Sequence, residues 1–248
     1  MAPERKDYFA GATAANYDAD SSDWFDPVVT GATVDFLAEL AGDGAALELG
    51  IGTGRIALPL SARGVPVQGI DLSPDMVAQL QSKPGGDAIG VTIGDFASTV
   101  VEGTFRLAYL VYNTIENLTS QDDQVSCFVN VGRHLEPGGC FVVEVEVPPL
   151  RRLPPGDSTV AFRVTPDRLG FDTFDVAQQL GVSHHYWVAE GRAGTFTMPY
   201  RYVWPAELDL MARLGGMRLR ERWSGWNRAP FTGESASHVS VWEKLPEG

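Results

Sequence analysis

The residues best placed to do chemistry are the run Leu47-Glu48-Leu49-Gly50-Ile51-Gly52-Thr53-Gly54-Arg55. It follows a short apolar stretch and precedes a helical pattern. Glycines at such a junction let backbone approach a ligand closely, and the following helix start offers unpaired N–H groups. The spacing is G-x-G-x-G, with Arg at position 55. A dinucleotide turn requires G-x-G-x-x-G/A, because the pyrophosphate needs a close and neutral turn. Glu48, two residues before Gly50, suits a ligand with a cationic end and disfavours a phosphate. Asp71 stands 21 residues beyond Gly50, where a carboxylate accepts both hydroxyls of a ribose. Asp95-Phe96 adds an acid that can accept from an exocyclic amine, beside an aromatic to cover the ring face. Together these imply an adenosine without pyrophosphate that carries a charged, amino-acid-like tail.

The remaining candidates are sparser. Glu144 and Glu146 lie two apart on a strand, so they share one face, and unpaired charge buried there is costly. Glu144, His184 and His185 are the candidate catalytic groups, and Glu146 is a candidate substrate contact with Tyr112, Tyr200 and Tyr202. His184 and His185 are neighbours on a strand and face opposite ways, so at most one can point into a site. His134, at a helix end, and His238, at a strand start, read as structural. The arginines at 213, 218, 220 and 222 read as a solvated face. Cys127 and Cys140 read as small buried hydrophobes, and no Cys/His group has zinc spacing, so no metal is expected.

The 248 residues carry 19 basic and 32 acidic side chains, a net charge of -13. That disfavours a nucleic-acid backbone or an anionic membrane as partner. The N-terminus has no apolar leader, and unbroken apolar runs reach only about six residues, far short of a membrane span. A cytoplasmic protein with a small-molecule substrate is expected.

The elements that must position these residues follow from spacing. Asp26-Pro27 opens a helix with Val29, Ala32, Phe36 and Leu40 on one face, stopped at Gly42. Strands are expected at 45–49, 66–71, 89–93, 105–112 and 140–147, alternating with helices over 55–63, 74–81 and 120–136. Such alternation gives parallel crossover units in one open sheet. After Pro148-Pro149 the period changes to two: Val160, Phe162, Val164; then Val182, His184, Tyr186, Val188; then Phe196, Met198, Tyr200, Tyr202, Trp204, with Gly191 and Gly194 as the hairpin loop between the last two. The chain thus divides into an N-terminal helical segment or lid (1–44), a core (45–149), an antiparallel insertion (150–204) and a C-terminal return to the core sheet (205–248). The insertion covers the substrate, or its aromatic stripe pairs two subunits as a homodimer.

Glu48 to Arg55, Asp71-Leu72-Ser73-Pro74-Asp75-Met76, Gly94-Asp95-Phe96 and His134-Leu135-Glu136-Pro137-Gly138-Gly139 resemble, in order and spacing, the signatures of class I S-adenosylmethionine-dependent methyltransferases. The resemblance covers about residues 45–147 and resumes in the C-terminal helix and strand pair. It implies an α/β, Rossmann-like doubly wound sheet of seven strands with the last antiparallel, and S-adenosyl-L-methionine as cofactor. It implies that Gly50, Gly52 and Gly54 approach the methionine portion, Asp71 holds the ribose, and Leu72, Met76, Asp95 and Phe96 surround the adenine. Asn113 matches a position at the methionine end, and Tyr17, in Ala14-Ala15-Asn16-Tyr17-Asp18, resembles a lid residue. The chain departs from the family at Arg106, where an Asp is usual. The implied activity is methyl transfer to an N, O or C atom of a small metabolite. A non-catalytic cofactor-binding or dimerisation module is the alternative. An NAD-dependent oxidoreductase fits worse: none of Lys6, Lys83 and Lys244 has a Tyr four residues before it.

Overall fold

A computed structural model describes residues 6–20, 27–189 and 191–246. Asp26 and the side chain of Val29 therefore lie outside the described residues. The chain forms α1 (Ala12–Asp20), α2 (Pro27–Ala41), β1 (Ala46–Leu49), α3 (Ala57–Ala62), β2 (Val67–Asp71), α4 (Pro74–Gln81), β3 (Gly90–Ile93), β4 (Phe105–Leu110), α5 (Gln121–His134) and β5 (Leu135–Glu146). Then follow β6 (Thr159–Val164), β7 (Arg168–Asp175), β8 (Leu180–Ala189), β9 (Arg192–Arg201), α6 (Pro205–Leu214), β10 (Met217–Trp223) and β11 (Ser237–Lys244).

The main sheet has the order β10-β11-β5-β4-β1-β2-β3. β1 to β5 run parallel, and β11 runs antiparallel to β5 and to β10. This is the seven-stranded, doubly wound sheet that the resemblance implies. Strand order reverses between β1 and β4, and ligands bind outside the carboxyl ends of strands at such a switch point. The central strands are buried on both faces because helices cover both. One apolar layer holds Phe128, Val131, Leu208, Met211 and Trp242 with α5 and α6; the other holds Leu37, Leu40, Ile56 and Leu60 with α2 and α3. Helix starts follow local chemistry. Ser73 accepts from Met76 N at the head of α4, and Ser120 accepts from Asp123 N at the head of α5.

Several details depart from the pattern reading. Ala32 is exposed, and α2 buries Thr33, Val34, Phe36, Leu37 and Leu40. β5 begins at Leu135 and is interrupted before Cys140. Arg222 is not solvated: it pairs with Asp209 at 2.7 Å and donates to Ser240.

The insertion is a separate four-stranded antiparallel sheet, β6-β7-β8-β9. β7 has no counterpart in the sequence reading, because Phe171 and Phe174 fall on opposite faces and break the period of two. Gly194 lies inside β9 opposite Trp187, not in the loop, which turns between Ala189 and Arg192. A side chain at 194 would collide with the Trp187 ring. Register places Asp172, Ser183, His185, Phe196, Met198 and Tyr200 on the inner face. A small apolar group of Val160, Phe174 and Tyr202, with Tyr200 and Leu153 against it, seals the base of this sheet. Tyr202 is 2% exposed and belongs to that seal. It is therefore no substrate contact, and Trp204 is the residue that precedes α6.

A buried ionic hub ties the insertion to the main sheet. Arg201, 5% exposed, donates to Gln124 of α5 and to Glu207 of α6. Gln124 in turn donates to the carbonyls of Ile115 and Arg201.

Candidate active site

The turn after β1 is shaped by its glycines. Gly50, Gly52 and Gly54 have φ of 68°, 56° and 81°, values that L side chains rarely adopt. A Cβ on Gly50 would sit 2.7 Å from Thr114 Cγ2, so the turn packs directly on the short 3-10 turn Thr114–Asn117 that follows β4. Gly52 is more open, with only Met76 Cε within 3.4 Å of such a Cβ. These are the properties of a backbone cradle that leaves room for a ligand.

Asp71, at the end of β2, accepts from Gly52 N at 2.6 Å and from Ser73 N at 2.8 Å. Burial pushes its carboxyl up, and the Ser73 and Gly52 N–H groups pull it back. The carboxylate is thereby locked at the edge of the cradle with lone pairs left for two hydroxyls. Met76 is buried beside the cradle and Leu72 is half-buried. Asp95 accepts from Ala97 N at 2.9 Å. Phe96 departs from its expected place: it is 8% exposed, sits in the α5-side core and reaches under Gly50. It floors the turn.

Glu48 is 3% exposed and lies beneath the turn, not at its mouth. It accepts from Tyr109 Oη at 2.9 Å. Burial pushes its carboxyl up to about 8, with the Tyr109 hydrogen bond and the Arg55 charge acting the other way. Arg55, read from the sequence as an obstacle to pyrophosphate, is the cation of the cleft. Its guanidinium lies 4.1 Å from the centre of the Tyr112 ring, and its charge reaches Tyr17, Glu48 and Glu144.

Tyr112 and Asn113 both adopt left-handed backbone, with φ of 64° and 59°. Two successive non-glycine residues there are costly and need outside support. Glu144 supplies it: its two oxygens accept from Tyr112 N at 3.0 Å and Trp226 Nε1 at 2.7 Å. With one donor on each oxygen, Glu144 shapes the turn. Asn113 Oδ1 accepts from Glu146 N at 2.8 Å, which holds the turn to the end of β5. Glu146 itself is exposed.

Helix α1 closes over this cleft. Thr53 donates to Asp18 at 2.6 Å, Lys83 pairs with Asp18, and Gly11 N donates to Asp75 at 2.6 Å. Burial against the cleft pushes the Tyr17 hydroxyl up, with Arg55 opposing. Across the cleft, Tyr200 donates to Asp172, and both feel the charge of Glu146. Glu116, on the 3-10 turn, joins them: it is 8% exposed, and Glu146 and Asp172 raise its carboxyl further after burial has done so. The histidines stay outside this group. His184 is on the outer face, stacked on Phe171 with centroids 4.8 Å apart. His185 is on the inner face but clasped between Phe162 and Phe196 and bonded to Ser183.

Glu116, Arg55 and Asp18 were missed by sequence reasoning. Arg55 carried a signal, as a lone cation directly after the third glycine. Asp18 stood in the lid segment beside Tyr17 without a role of its own, and Glu116 carried no signal, since tertiary packing alone brings it to the cleft.

A methyltransferase-domain family model matches residues 46–139. The CcbJ methyltransferase of Streptomyces caelestis is 33% identical, with a TM-score of 0.80 over 88% of this chain and 90% of that one. CalS10 of Micromonospora echinaspora, an amino pentose methyltransferase of calicheamicin biosynthesis, is 20% identical with a TM-score of 0.72, over 98% of this chain and all of that one, and shares the fold. YqeM of Bacillus subtilis (strain 168), named as a methyltransferase, is 28% identical over 110 residues, and the match spans 44% of its length. The chain belongs to the class I S-adenosylmethionine-dependent methyltransferases. Its cofactor is S-adenosylmethionine, and the oxidoreductase alternative falls with that assignment. Among the described residues no helix is long and apolar enough to cross a membrane.

Proposed function

We propose that the protein transfers the methyl group of S-adenosylmethionine to a small molecule held between the carboxyl ends of β4 and β5 and the inner face of the insertion. The observation that carries this is the line of groups from the cradle to the insertion: Asp71 and Arg55, whose charges both reach Tyr17, then Tyr112 under Arg55, Glu146, Asp172 and Tyr200. In this reading Asp71 holds the ribose hydroxyls, Leu72 and Met76 flank the adenine, and Asp95 accepts from its amine. The backbone at Gly50, Gly52 and Gly54 carries the methionine portion, and Arg55 faces its carboxylate. Asn113 holds the turn beside it, and Tyr17 shuts the cleft from the α1 side. Tyr112, Glu146 and Tyr200 line the acceptor space.

The bound cofactor supplies an activated methyl on a sulfonium. The task left to the chain is alignment of an acceptor atom and exclusion of water. The rigid Tyr112-Asn113 turn and the α1 closure suit both. Calorimetry with S-adenosylhomocysteine tests the cofactor half: saturable binding is expected, with none for NAD. Mass spectrometry of small acceptors incubated with S-adenosylmethionine tests the other half. Binding of NAD in place of the nucleoside would overturn the reading.

A further inference from the structure

Trp226 lies in the loop that joins β10, the edge strand of the main sheet, to β11. Register aligns Trp223, Val239 and Glu144 across β10, β11 and β5, so Glu144 stands two strands in from that edge. The loop closes on itself: Ser224 N donates to Ala229 O at 2.9 Å, and Arg228 N donates to Gly225 O at 3.1 Å. So folded, it brings Trp226 Nε1 to 2.7 Å from Glu144 Oε1. Phe36 of α2 braces the Trp226 ring edge-on, with centroids 5.4 Å apart. Arg228 lies over the same Phe36, 4.6 Å from its centre, and pairs with Glu39 of α2 at 2.7 Å.

Glu144 passes this hold inward. Its Oε2 accepts from Tyr112 N at 3.0 Å and its carbonyl accepts from Asn113 N at 3.2 Å, so one residue takes both N–H groups of the left-handed pair. Such backbone is costly for residues with a Cβ and persists only where the surroundings enforce it. The Tyr112 ring in turn carries the Arg55 guanidinium 4.1 Å from its centre. Stacking on a ring fixes the plane of a guanidinium, and a long side chain already ordered loses less freedom when its anion arrives.

Resting on the methyl-transfer reading above, in which Arg55 faces the methionine carboxylate, we propose that Trp226 is a positioning residue for the cofactor: through Glu144 and Tyr112 it holds Arg55 where that carboxylate binds. The loop after β10 therefore sets the grip on the amino-acid tail of the cofactor and leaves the grip on its adenosine to the cradle.

The test compares S-adenosylhomocysteine with methylthioadenosine, which keeps the adenosine and the sulfur and lacks the amino-acid tail. Calorimetry of Trp226→Phe should show S-adenosylhomocysteine weakened by about five- to twentyfold, the lower part of the range for a lost hydrogen bond to a charged group. Methylthioadenosine should bind to within about twofold of wild type, which also reports that the cradle is folded. Glu144→Gln, nearly identical in shape, should give the same pattern, because the two donors sit on separate oxygens and an amide has only one. Arg55→Met should remove the preference for the tailed ligand outright. Adding Trp226→Phe to it should cost nothing more, since residues acting in series are not additive. Equal weakening of both ligands in Trp226→Phe and Glu144→Gln, unchanged affinity for both, or full additivity with Arg55→Met overturns the inference and leaves the cofactor assignment standing. Wild type that fails to bind S-adenosylhomocysteine overturns the reading beneath it.

Discussion

The two ends of the cleft are built from the same materials, carboxyls and tyrosines, in opposite states. At the cradle end, Glu48 is bonded to Tyr109, Asp71 to two backbone N–H groups, and Glu144 to a backbone and an indole N–H. At the insertion end Glu116 is as deeply buried, and its neighbours Glu146 and Asp172 push its carboxyl further up. Satisfied acids make a rigid frame that accepts one cofactor. The difference also follows topology: the cradle grows from one parallel sheet, whereas the insertion end exists only where two sheets meet.

The harshest way to break the comparison is to separate the sheets. Arg201 and Glu207 form a buried pair at 2.7 Å. Burial alone would raise the Glu207 carboxyl, but donors from Gln179, Arg201 and Gln121 outweigh it and hold it below its ordinary value. Arg201→Met leaves Glu207 and Gln124 without their cation and should cost about 3–5 kcal/mol in urea unfolding. Because the folded pKa is depressed, the Glu207 contribution is present above the unfolded carboxylate value and is lost as pH falls through the folded one. Glu207→Gln should therefore flatten the acid limb of the stability curve.

Glu48 has the reverse sign. Its folded pKa is raised to about 8, so its contribution is full below the unfolded value and is lost as pH rises toward the folded one. Wild-type stability should fall by up to about 1.4 kcal/mol per pH unit from this group between pH 5 and 8. In Glu48→Gln that part of the slope should vanish. Equal slopes in the two proteins would show that the acid beneath the turn is ionised.

Asp71 is the sharper probe of the cradle. Asp71→Ala should weaken S-adenosylhomocysteine by about 1.5–3 kcal/mol, the scale for hydrogen bonds to a charged group. Acceptor methylation should survive when the cofactor is supplied at saturating concentration. Unchanged nucleoside affinity would remove the ribose role from this carboxylate.

How much of this was legible in the sequence differs between the two ends for the same reason. The cradle is local: a strand, three glycines, a helix start and an acid at the next strand end all sit within 25 residues, Leu47 to Asp71. The parallel sheet was legible too, because helix and strand periods alternate cleanly. The insertion end is assembled from residues 112–116, 144–146, 172 and 200, and no periodicity links them. Thr114–Asn117 is a single 3-10 turn, too short to show a face. β7 hides because its aromatics change phase at Phe174. Tyr202 was misplaced because a stripe of alternate aromatics does not reveal where its strand ends and its seal begins. His184 and His185 drew attention as reactive types, and register shows one facing outward and the other wedged between rings.

The smallest effect expected is at the closure that joins the two ends. Asp18 accepts from Thr53, on the glycine turn, and pairs with Lys83, which also donates to Thr53 O at 2.8 Å. Asp18 side-chain exposure is 41% and that of Lys83 is 25%, so water screens the pair and its net worth is about 0.2–1 kcal/mol. Asp18→Asn keeps an acceptor for Thr53 and removes only the charge. Nucleoside affinity should drop by at most about fivefold, since 1.4 kcal/mol corresponds to tenfold. The loss should appear in the dissociation rate by stopped-flow, because the contact ties α1 to the glycine turn and must open for the ligand to leave. It should also shrink in high salt, as exposed pairs do. A salt-independent loss would trace the effect to the geometry of the Thr53 hydrogen bond, and an unchanged dissociation rate would show that α1 is held by Tyr17 and the Gly11–Asp75 contact alone.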